Sequence, residues 1–240
     1  MREVTPTMLV LNPAKIVRWL AGTAVALVAA GIFGQWVRHA LGHDQVYGLV
    51  PLFDLDGERN IPALFSVCLL ALAALLLTVI ALVMKQRKER GVIWWAFLAV
   101  GFFLMSVDES WSFHERLVVP VRSMVGSGPG NLLHYAWVLP GALVATTVAL
   151  AYLRFLMALA PEIRYAFLLA AGLYLGGAIG LEMAGGAYAA RHGADNLVHA
   201  LYAAVEESLE MAGTIVFIRA LLAYIAKAHG DTWVRVGAGQ

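Results

Sequence analysis

Six apolar segments, each long enough to cross a lipid bilayer, constrain the fold of this chain more than any other feature. They cover residues 16–40, 60–84, 92–117, 131–157, 163–189 and 196–226. A helix needs about 20 apolar residues to span the hydrocarbon core, where every backbone polar group must be bonded internally. Charged residues make up 14% of the chain, whereas a soluble domain has about 25%. The sequence therefore predicts an all-α polytopic bundle of six transmembrane helices, forming a single domain over residues 1–240.

Lysine and arginine are distributed unevenly between the two ends of the predicted bundle. All four lysines lie before the first segment, between the second and third, or after the sixth. Because cytoplasmic loops carry an excess of these residues, we expect both termini to be cytoplasmic. The loops at residues 41–59, 118–130 and 190–195 are then expected to face outward. The net charge of +1 indicates no nucleic-acid partner.

Seven acidic or imidazole side chains lie inside the apolar segments or at their mouths. Burying such a group at membrane depth costs on the order of several kcal/mol unless it is paired, hydrated or bound to a cation. They are Asp108, Glu115, His134, Glu182, His199, Glu206 and Glu210. Since all seven lie toward the predicted outer side, they indicate one shared site.

The sixth segment carries a stripe of candidate ligands. His199, Glu206 and Glu210 are separated by seven and four residues, which places them within about 20° of one line on a helix. A solvated helix face does not explain the stripe, because apolar sequence continues directly after Glu210. Glu207 lies beside the line, and we expect it to support the ligands through hydrogen bonds.

The third segment carries a second pair of candidate ligands. Asp108 and Glu115 are seven residues apart, so a continuous helix would place them on one face. Glu109, Ser112 and His114 lie beside this pair. We expect these three side chains to support the ligands through hydrogen bonds rather than to bind a ligand directly.

The fourth and fifth segments contribute one candidate each. His134 is expected one turn inside the outer end of the fourth helix, which Pro140 is expected to kink. Glu182 lies among small residues of the fifth segment and requires a partner there. Four glycines of that segment are expected to form a smooth face for close helix contact. They are Gly172, Gly176, Gly177 and Gly180.

The charge of these candidates predicts the chemistry of their ligand. Five carboxylates and two imidazoles face few cationic side chains, because the nearby arginines are interfacial. Protons, a bound metal or a mobile cation must therefore neutralise the carboxylates. Carboxylates mixed with imidazoles suit zinc, iron or manganese, and two metals bridged by carboxylates would use this set efficiently. We expect a cofactor of one or two such metal ions.

The loop before the second segment alternates acidic residues. Asp54, Asp56 and Glu58 resemble the start of a calcium loop, although the remainder of that pattern is absent. Asn60 is expected to cap the second helix, and the loop could fold over the site as a lid. Ser66 is expected to bond to the backbone of its own helix.

Three strings resemble those of a group of uncharacterised multi-pass bacterial membrane proteins. They are Asp56-Gly-Glu-Arg-Asn60-Ile-Pro, Ser106-Val-Asp-Glu109 followed by His114-Glu115, and Glu206-Glu-Ser-Leu-Glu210-Met. The resemblance covers most of the chain from about Phe53 onward and implies a multi-pass protein of the inner (cytoplasmic) membrane, without an activity. Membrane hydrolases of the ceramidase and adiponectin-receptor type are similar in placing a zinc among Ser, Asp and His. They have seven spans and three histidines, whereas this chain has six segments and mostly glutamates.

Four roles are compatible with this pattern. A metal-dependent membrane enzyme, a hydrolase or an oxidoreductase, would act on a lipid or a redox substrate. A proton or cation conduit would use the acids as a path, although the inner halves of the third and sixth segments carry no matching acids. A subunit of a larger membrane complex would use His134 or His199 to ligate a haem or chlorin. A structural membrane protein is the fourth role, and membrane lipid, further copies of the chain or a larger complex are the expected partners.

Overall fold

The computed structural model describes residues 12–229, which fold into helices without any strand. Six helical stretches within that range are long and apolar enough to cross a membrane, which confirms the predicted all-α polytopic bundle. The helices are α1 (Pro13–Leu41), α2 (Leu49–Leu52), α3 (Ile61–Gln86), α4 (Val92–Trp111), α5 (Phe113–Arg116), α6 (Val118–Val125), α7 (Val138–Ala158), α8 (Pro161–Leu175), α9 (Glu182–His192) and α10 (Leu197–His229). The two chain ends, including Arg235, lie outside the described residues.

The bundle has two ends that differ in composition. At one end, which we call the polar end, lie the connections at residues 42–60, 112–137 and 193–196. At the other, the basic end, lie the short connections at residues 87–91 and 159–160. Helix α10 packs against α1, α3, α8 and α9 and is the central helix of the bundle. Its position lets side chains from several helices meet around it.

An apolar core fills the half of the bundle near the basic end. Leu77 and Ile80 of α3, together with Ile218 and Leu221 of α10, are completely buried. Because lipid chains are as apolar as these side chains, close packing rather than the hydrophobic effect holds the helices together here. We call these four residues the apolar plug, because they close the bundle below the polar end.

Helix α4 is shorter than the sequence predicts, because it ends at Trp111 rather than near residue 117. Ser112 adopts a left-handed conformation with φ 49°, and its N–H donates to the Asp108 carbonyl at 2.6 Å. The Asp108 side chain also accepts from the backbone N–H of His114 at 3.0 Å. The prediction that Asp108 and Glu115 share one continuous helix face is therefore wrong.

Helix α7 also begins later than predicted, at Val138 instead of residue 131. His134 lies in the turns that precede α7 and not inside a membrane span. Pro140 lies in the first turn of α7, where a missing N–H has no intrahelical partner to lose. The prediction that Pro140 kinks the fourth helix is wrong for this reason.

The fifth span contains a π-helical segment, Gly176–Leu181, between α8 and α9. Only one of the four glycines expected on a smooth face touches another helix closely. A Cβ on Gly177 would lie 2.8 Å from the Glu206 carbonyl oxygen, whereas nothing lies within 4 Å at Gly172, Gly176 or Gly180. The π-helical segment therefore brings Gly177 against α10, five residues before Glu182.

Candidate functional site

The polar end of the bundle contains a group of carboxyl and imidazole side chains drawn from five parts of the chain. We call the members nearest the polar end the carboxylate cluster. It consists of Asp56, Glu58, Asp108, His114, Glu115, Glu182, His199 and Glu206. A second group, the inner chamber, lies deeper and is formed around Ser66, Glu109, Tyr174 and Glu210.

Asp108 fixes the imidazole ring of His114. The Asp108 Oδ2 atom lies 2.6 Å from Nδ1 of His114, while Oδ1 accepts from the His114 backbone. The ring also packs against Trp137, with ring centroids 4.6 Å apart. No described residue forms a hydrogen bond with Nε2 of His114. The ring is therefore held from one side with its other nitrogen available to a ligand.

The charges around His114 favour its protonated form when no cation is bound. Burial alone would lower the pKa of His114, but the hydrogen bond and charge of Asp108 raise it, and Glu115 and Glu109 add to this effect. The net pKa of His114 is raised above its ordinary value. The negative charges of three nearby acids therefore favour the protonated form of this one imidazole.

Glu182 and Glu206 lie within hydrogen-bonding reach of each other. The indole N–H of Trp137 donates to Oε1 of Glu182 at 2.6 Å. Because the same indole packs against His114, Trp137 connects His114 to this carboxyl pair. Two ionised carboxylates repel each other at this separation, so the pair requires a shared proton or a bound cation. The structure thus joins Glu182 of α9 and Glu206 of α10.

The loop before α3 folds over the carboxylate cluster. Glu58 lies within hydrogen-bonding reach of Glu115, and Oδ2 of Asp56 lies 3.9 Å from Nδ1 of His199. Asn60 caps α3 through its Oδ1, which accepts from the Ala63 N–H at 3.1 Å, as predicted. The cap and the loop therefore bring Asp56 and Glu58 to the other members of the cluster.

The loop raises the pKa of two carboxyl groups outside the membrane spans. Burial, followed by the charge and hydrogen bond of Glu58, raises the pKa of Glu115 to about 7. Partial burial, followed by the charge of Asp54, raises the pKa of Asp56 to about 6. The Asp56 side chain is 56% exposed, so solvent screens its contribution to stability. Both groups favour the protonated form near neutral pH more than an ordinary acid does.

His199 is only 5% exposed. Its Nε2 lies 3.3 Å from the hydroxyl of Tyr135, and burial together with the nearby charges of Asp56 and Glu182 raises the pKa of Tyr135 to about 12. The backbone N–H of His199 donates to Oδ1 of Asn196 at 3.0 Å. His199 therefore faces Asp56 on one side of its ring and a neutral phenol on the other.

His134 stands at the edge of the carboxylate cluster. Its carbonyl accepts from Nη1 of Arg122 at 3.1 Å, and its ring packs on Tyr135 at 4.9 Å. Burial, followed by the charges of Arg122 and His199, lowers the pKa of His134. The structure therefore keeps this imidazole neutral without pairing it with an acid.

The inner chamber is a cavity of about 10 Å³ beneath the carboxylate cluster. Its lining consists of Ser66, Leu69, Leu70, Glu109, Tyr174, Glu210, Met211 and Thr214. The Tyr174 hydroxyl lies within hydrogen-bonding reach of Glu210, and Glu207 lies near both Glu109 and Glu210. Ser66 Oγ is buried and has no hydrogen-bond partner among the described residues. The prediction that Ser66 bonds to its own helix is therefore wrong.

The seven predicted ligands thus lie at two depths instead of around one point. Glu210 lies one helical turn below Glu206, in the inner chamber. Asp108 bonds to the backbone N–H and the ring of His114. Within residues 12–229, no three Asp, Glu, His or Cys side chains converge closely enough to enclose a metal ion as they stand. The two ion pairs that lysine and arginine form in the described part of the chain, Arg38 with Asp195 and Lys227 with Glu162, do not include a member of the cluster. A cation at this site would have to draw the carboxylates together.

We expect Asn60→Ala to loosen the loop over the cluster and to lower the free energy of unfolding by about 1–2 kcal/mol. The substitution removes the cap of α3 and the 2.6 Å bond from Asn60 Nδ2 to the Asp54 carbonyl. Thermal unfolding measures the loss of stability, and hydrogen exchange at residues 54–60 measures the loosening. The matched control is Asn12→Ala, which removes the cap of α1 and should leave exchange in the loop unchanged. Equal exchange in both variants would contradict the anchoring role.

One family model matches this chain. It is described as a domain of unknown function (DUF8692), and it matches residues 18–225. No curated protein and no solved structure matches the chain significantly.

Proposed function

We propose a function for this chain, which belongs to the DUF8692 family. The description of that family assigns no activity. In this proposal the protein is a metal-dependent membrane enzyme that binds one or two ions of zinc, iron or manganese in the carboxylate cluster. The site faces outward from the inner membrane, because the lysines lie toward the basic end.

The pairing of Asp108 with His114 is the observation that carries the proposal. A histidine that ligates a metal almost always donates its second ring N–H to a carboxylate, carbonyl or water, which fixes the ring and raises its basicity. His114 has this arrangement, with Nδ1 on Asp108 and Nε2 available. This changes the roles expected from sequence, since His114 becomes the ligand and Asp108 the residue that positions it.

The remaining donors fit the same group of metals. Glu58 with Glu115 and Glu182 with Glu206 form two carboxyl pairs, and a bridging cation would replace the proton that each pair otherwise shares. His199 would supply a second imidazole through Nδ1, which lies 3.9 Å from Oδ2 of Asp56, because Nε2 faces the Tyr135 hydroxyl. Mixed carboxylate and imidazole donors suit zinc, iron and manganese. A metal in such a site supplies a Lewis acid and lowers the pKa of bound water.

The proposed substrate is a membrane lipid, and α7 provides the supporting observation. All six residues 146–151 of α7 are exposed. Six residues make more than one full turn at 3.6 residues per turn, so every side of the helix is uncovered there. The helix touches the bundle at its ends, where Tyr152 donates to the Trp94 carbonyl at 2.8 Å and Trp137 bonds to Glu182. An acyl chain beside the middle of α7 would thus reach Trp137 at the cluster. A helix from a second copy or a larger complex would fill the same space.

A conduit for protons or cations is less well supported by this geometry. Below the inner chamber, the apolar plug of Leu77, Ile80, Ile218 and Leu221 is fully buried. An ion that entered from the polar end would meet packed hydrocarbon before reaching the basic end. A closed path of this kind suits binding and catalysis rather than transport.

The proposal predicts opposite pH dependences for metal-free and metal-loaded protein. The pKa values of Glu115 and Asp56 are raised to about 7 and about 6. A group with a raised pKa contributes stability that is complete below its unfolded pKa and is lost as pH rises through its folded pKa. The metal-free protein should therefore lose stability between about pH 4 and pH 7. Metal binding requires deprotonated ligands, so the stabilisation by metal should grow over the same interval.

Thermal unfolding of detergent-purified protein tests this prediction. The protein is stripped with a chelator and measured from pH 5 to pH 8 with and without added zinc or manganese. The proposal requires a rise in melting temperature on metal addition that is larger at pH 8 than at pH 5. A rise that is absent at every pH, or largest at pH 5, would contradict it.

A further inference from the structure

We propose that the inner chamber is a second and separate binding site, which holds one hard cation of the size of Na⁺ or Ca²⁺ among oxygen donors. The chamber lies between α3, α4, α8 and α10, below the carboxylate cluster. Its donors are Ser66 Oγ, the carboxyl groups of Glu109 and Glu210, and the Tyr174 hydroxyl. None of these four residues is needed to hold a metal at His114.

Ser66 is the observation that points to a ligand. The residue is only 8% exposed, and its Oγ has no hydrogen-bond partner in the described part of the chain. It lines the chamber together with the two acids. A buried hydroxyl without a partner is costly, and serines in helices commonly bond to the preceding turn instead. Ser110 and Ser208 of this chain do so, to the carbonyls of Ser106 and Ala204. Ser66 lacks such a bond, and its side chain lines the inner chamber instead.

The size of the chamber limits its ligand to a single small particle. Its volume of about 10 Å³ is close to that of one water-sized sphere. A cation that keeps several waters, as Mg²⁺ usually does, does not fit into that space. A dehydrated ion of the Na⁺ or Ca²⁺ class does fit, with up to six oxygen atoms from the four side chains.

The composition of the chamber separates it from the carboxylate cluster. No imidazole or thiol lines it, and its other walls are Leu69, Leu70, Met211 and Thr214. Oxygen-only donors suit hard cations, whereas imidazole donors suit zinc and iron. A water in the chamber would satisfy Ser66 and leave the two acids to be neutralised by protons. A cation satisfies the hydroxyl and offsets the negative charge at the same time: Ca²⁺ balances both carboxylates, whereas Na⁺ balances one and leaves the other to a proton. We therefore favour a cation.

Thermal unfolding in a choline chloride buffer tests the chamber independently of the proposed enzyme. Full-length protein is stripped of transition metals and titrated with NaCl, CaCl₂ or MgCl₂. We expect NaCl or CaCl₂ to raise the melting temperature of the wild type with saturation, and MgCl₂ to be at least about tenfold weaker. In Ser66→Ala, the saturating response should shift to at least about tenfold higher concentration. The matched control is Ser110→Ala, which removes a bonded hydroxyl from α4 and should respond as the wild type does.

The sign of the Ser66→Ala effect without cations separates the alternatives. If the chamber binds a cation, removing the unpaired hydroxyl should leave the cation-free protein as stable as the wild type or more so. A variant that is destabilised equally with and without Na⁺ and Ca²⁺ would identify an ordered water and overturn the proposal. So would a wild type that does not respond to either ion. His114→Ala should keep the full response to Na⁺ or Ca²⁺, so failure of the enzyme proposal and failure of this one are distinguishable.

Discussion

Replacing His114 by alanine is expected to weaken binding of zinc, iron or manganese to the carboxylate cluster by at least about 100-fold. The variant loses the imidazole whose Nδ1 is held by Asp108 at 2.6 Å, which leaves His199 as the other imidazole of the cluster. Asp108→Asn should retain the ligand but weaken its orientation, with a loss of about 10- to 100-fold, which is typical when a residue that positions a ligand is changed. The order of the two effects follows from their different roles.

Titration calorimetry of metal into stripped protein measures both affinities. The control is His192→Ala, because His192 lies at the same end of the bundle, is exposed, and stacks on Tyr188 with ring centroids 4.4 Å apart. This variant should bind metal as the wild type does. If His114→Ala bound metal with unchanged affinity, His114 would not be a ligand. If Asp108→Asn weakened binding more than His114→Ala, Asp108 would be the ligand, as the sequence first suggested.

Gly213→Ala is expected to destabilise the bundle by about 3 kcal/mol, at the upper end of the usual cost of overpacking. A Cβ at this position would lie 2.8 Å from the Ala170 carbonyl oxygen and 2.8 Å from the Tyr174 backbone nitrogen. Both obstacles are backbone atoms of α8, so no side-chain rotation can relieve the contact. Helices α8 and α10 must separate, and Tyr174 must move away from the inner chamber.

Gly172→Ala provides the matched control, because nothing lies within 4 Å of the added methyl group. Removing the flexibility of a mid-helix glycine should leave stability unchanged or raise it by about 0.5–1 kcal/mol. Unfolding in a denaturing detergent, followed by circular dichroism, measures the difference between the two variants. Equal stability of the two would show that α8 and α10 do not approach each other as closely as described.

The fold could be predicted from the sequence because apolar length is a local property. A run of about 20 apolar residues can only be a helix in the membrane, so each span could be identified without its neighbours. The end of α4 and the start of α7 could not be predicted as well from the sequence. Ser112 turns left-handed without a glycine to indicate it, and the polar residues before Val138 lie in turns that hydropathy does not separate from a span.

The candidate site was predictable in its location more than in its geometry. Helical periodicity placed His199, Glu206 and Glu210 on one stripe, but it did not separate Glu206, which pairs with Glu182, from Glu210, which lines the inner chamber. It also assumed a continuous helix from Asp108 to Glu115. The contacts from Trp137 to Glu182 and from Glu58 to Glu115 join parts of the chain that are 45 and 57 residues apart. Only packing determines such contacts. The missing partner of Ser66 is likewise a property of four helices together, and no pattern within α3 encodes it.

The most direct test of the account is to locate bound metal in the wild-type protein. Detergent-purified protein would be analysed by mass spectrometry for metal content and by anomalous X-ray diffraction for metal position. The account predicts one or two ions of zinc, iron or manganese per chain, with a peak about 2.1 Å from Nε2 of His114. Protein that contained no such metal after growth and purification with all three, or a peak remote from His114, would contradict it.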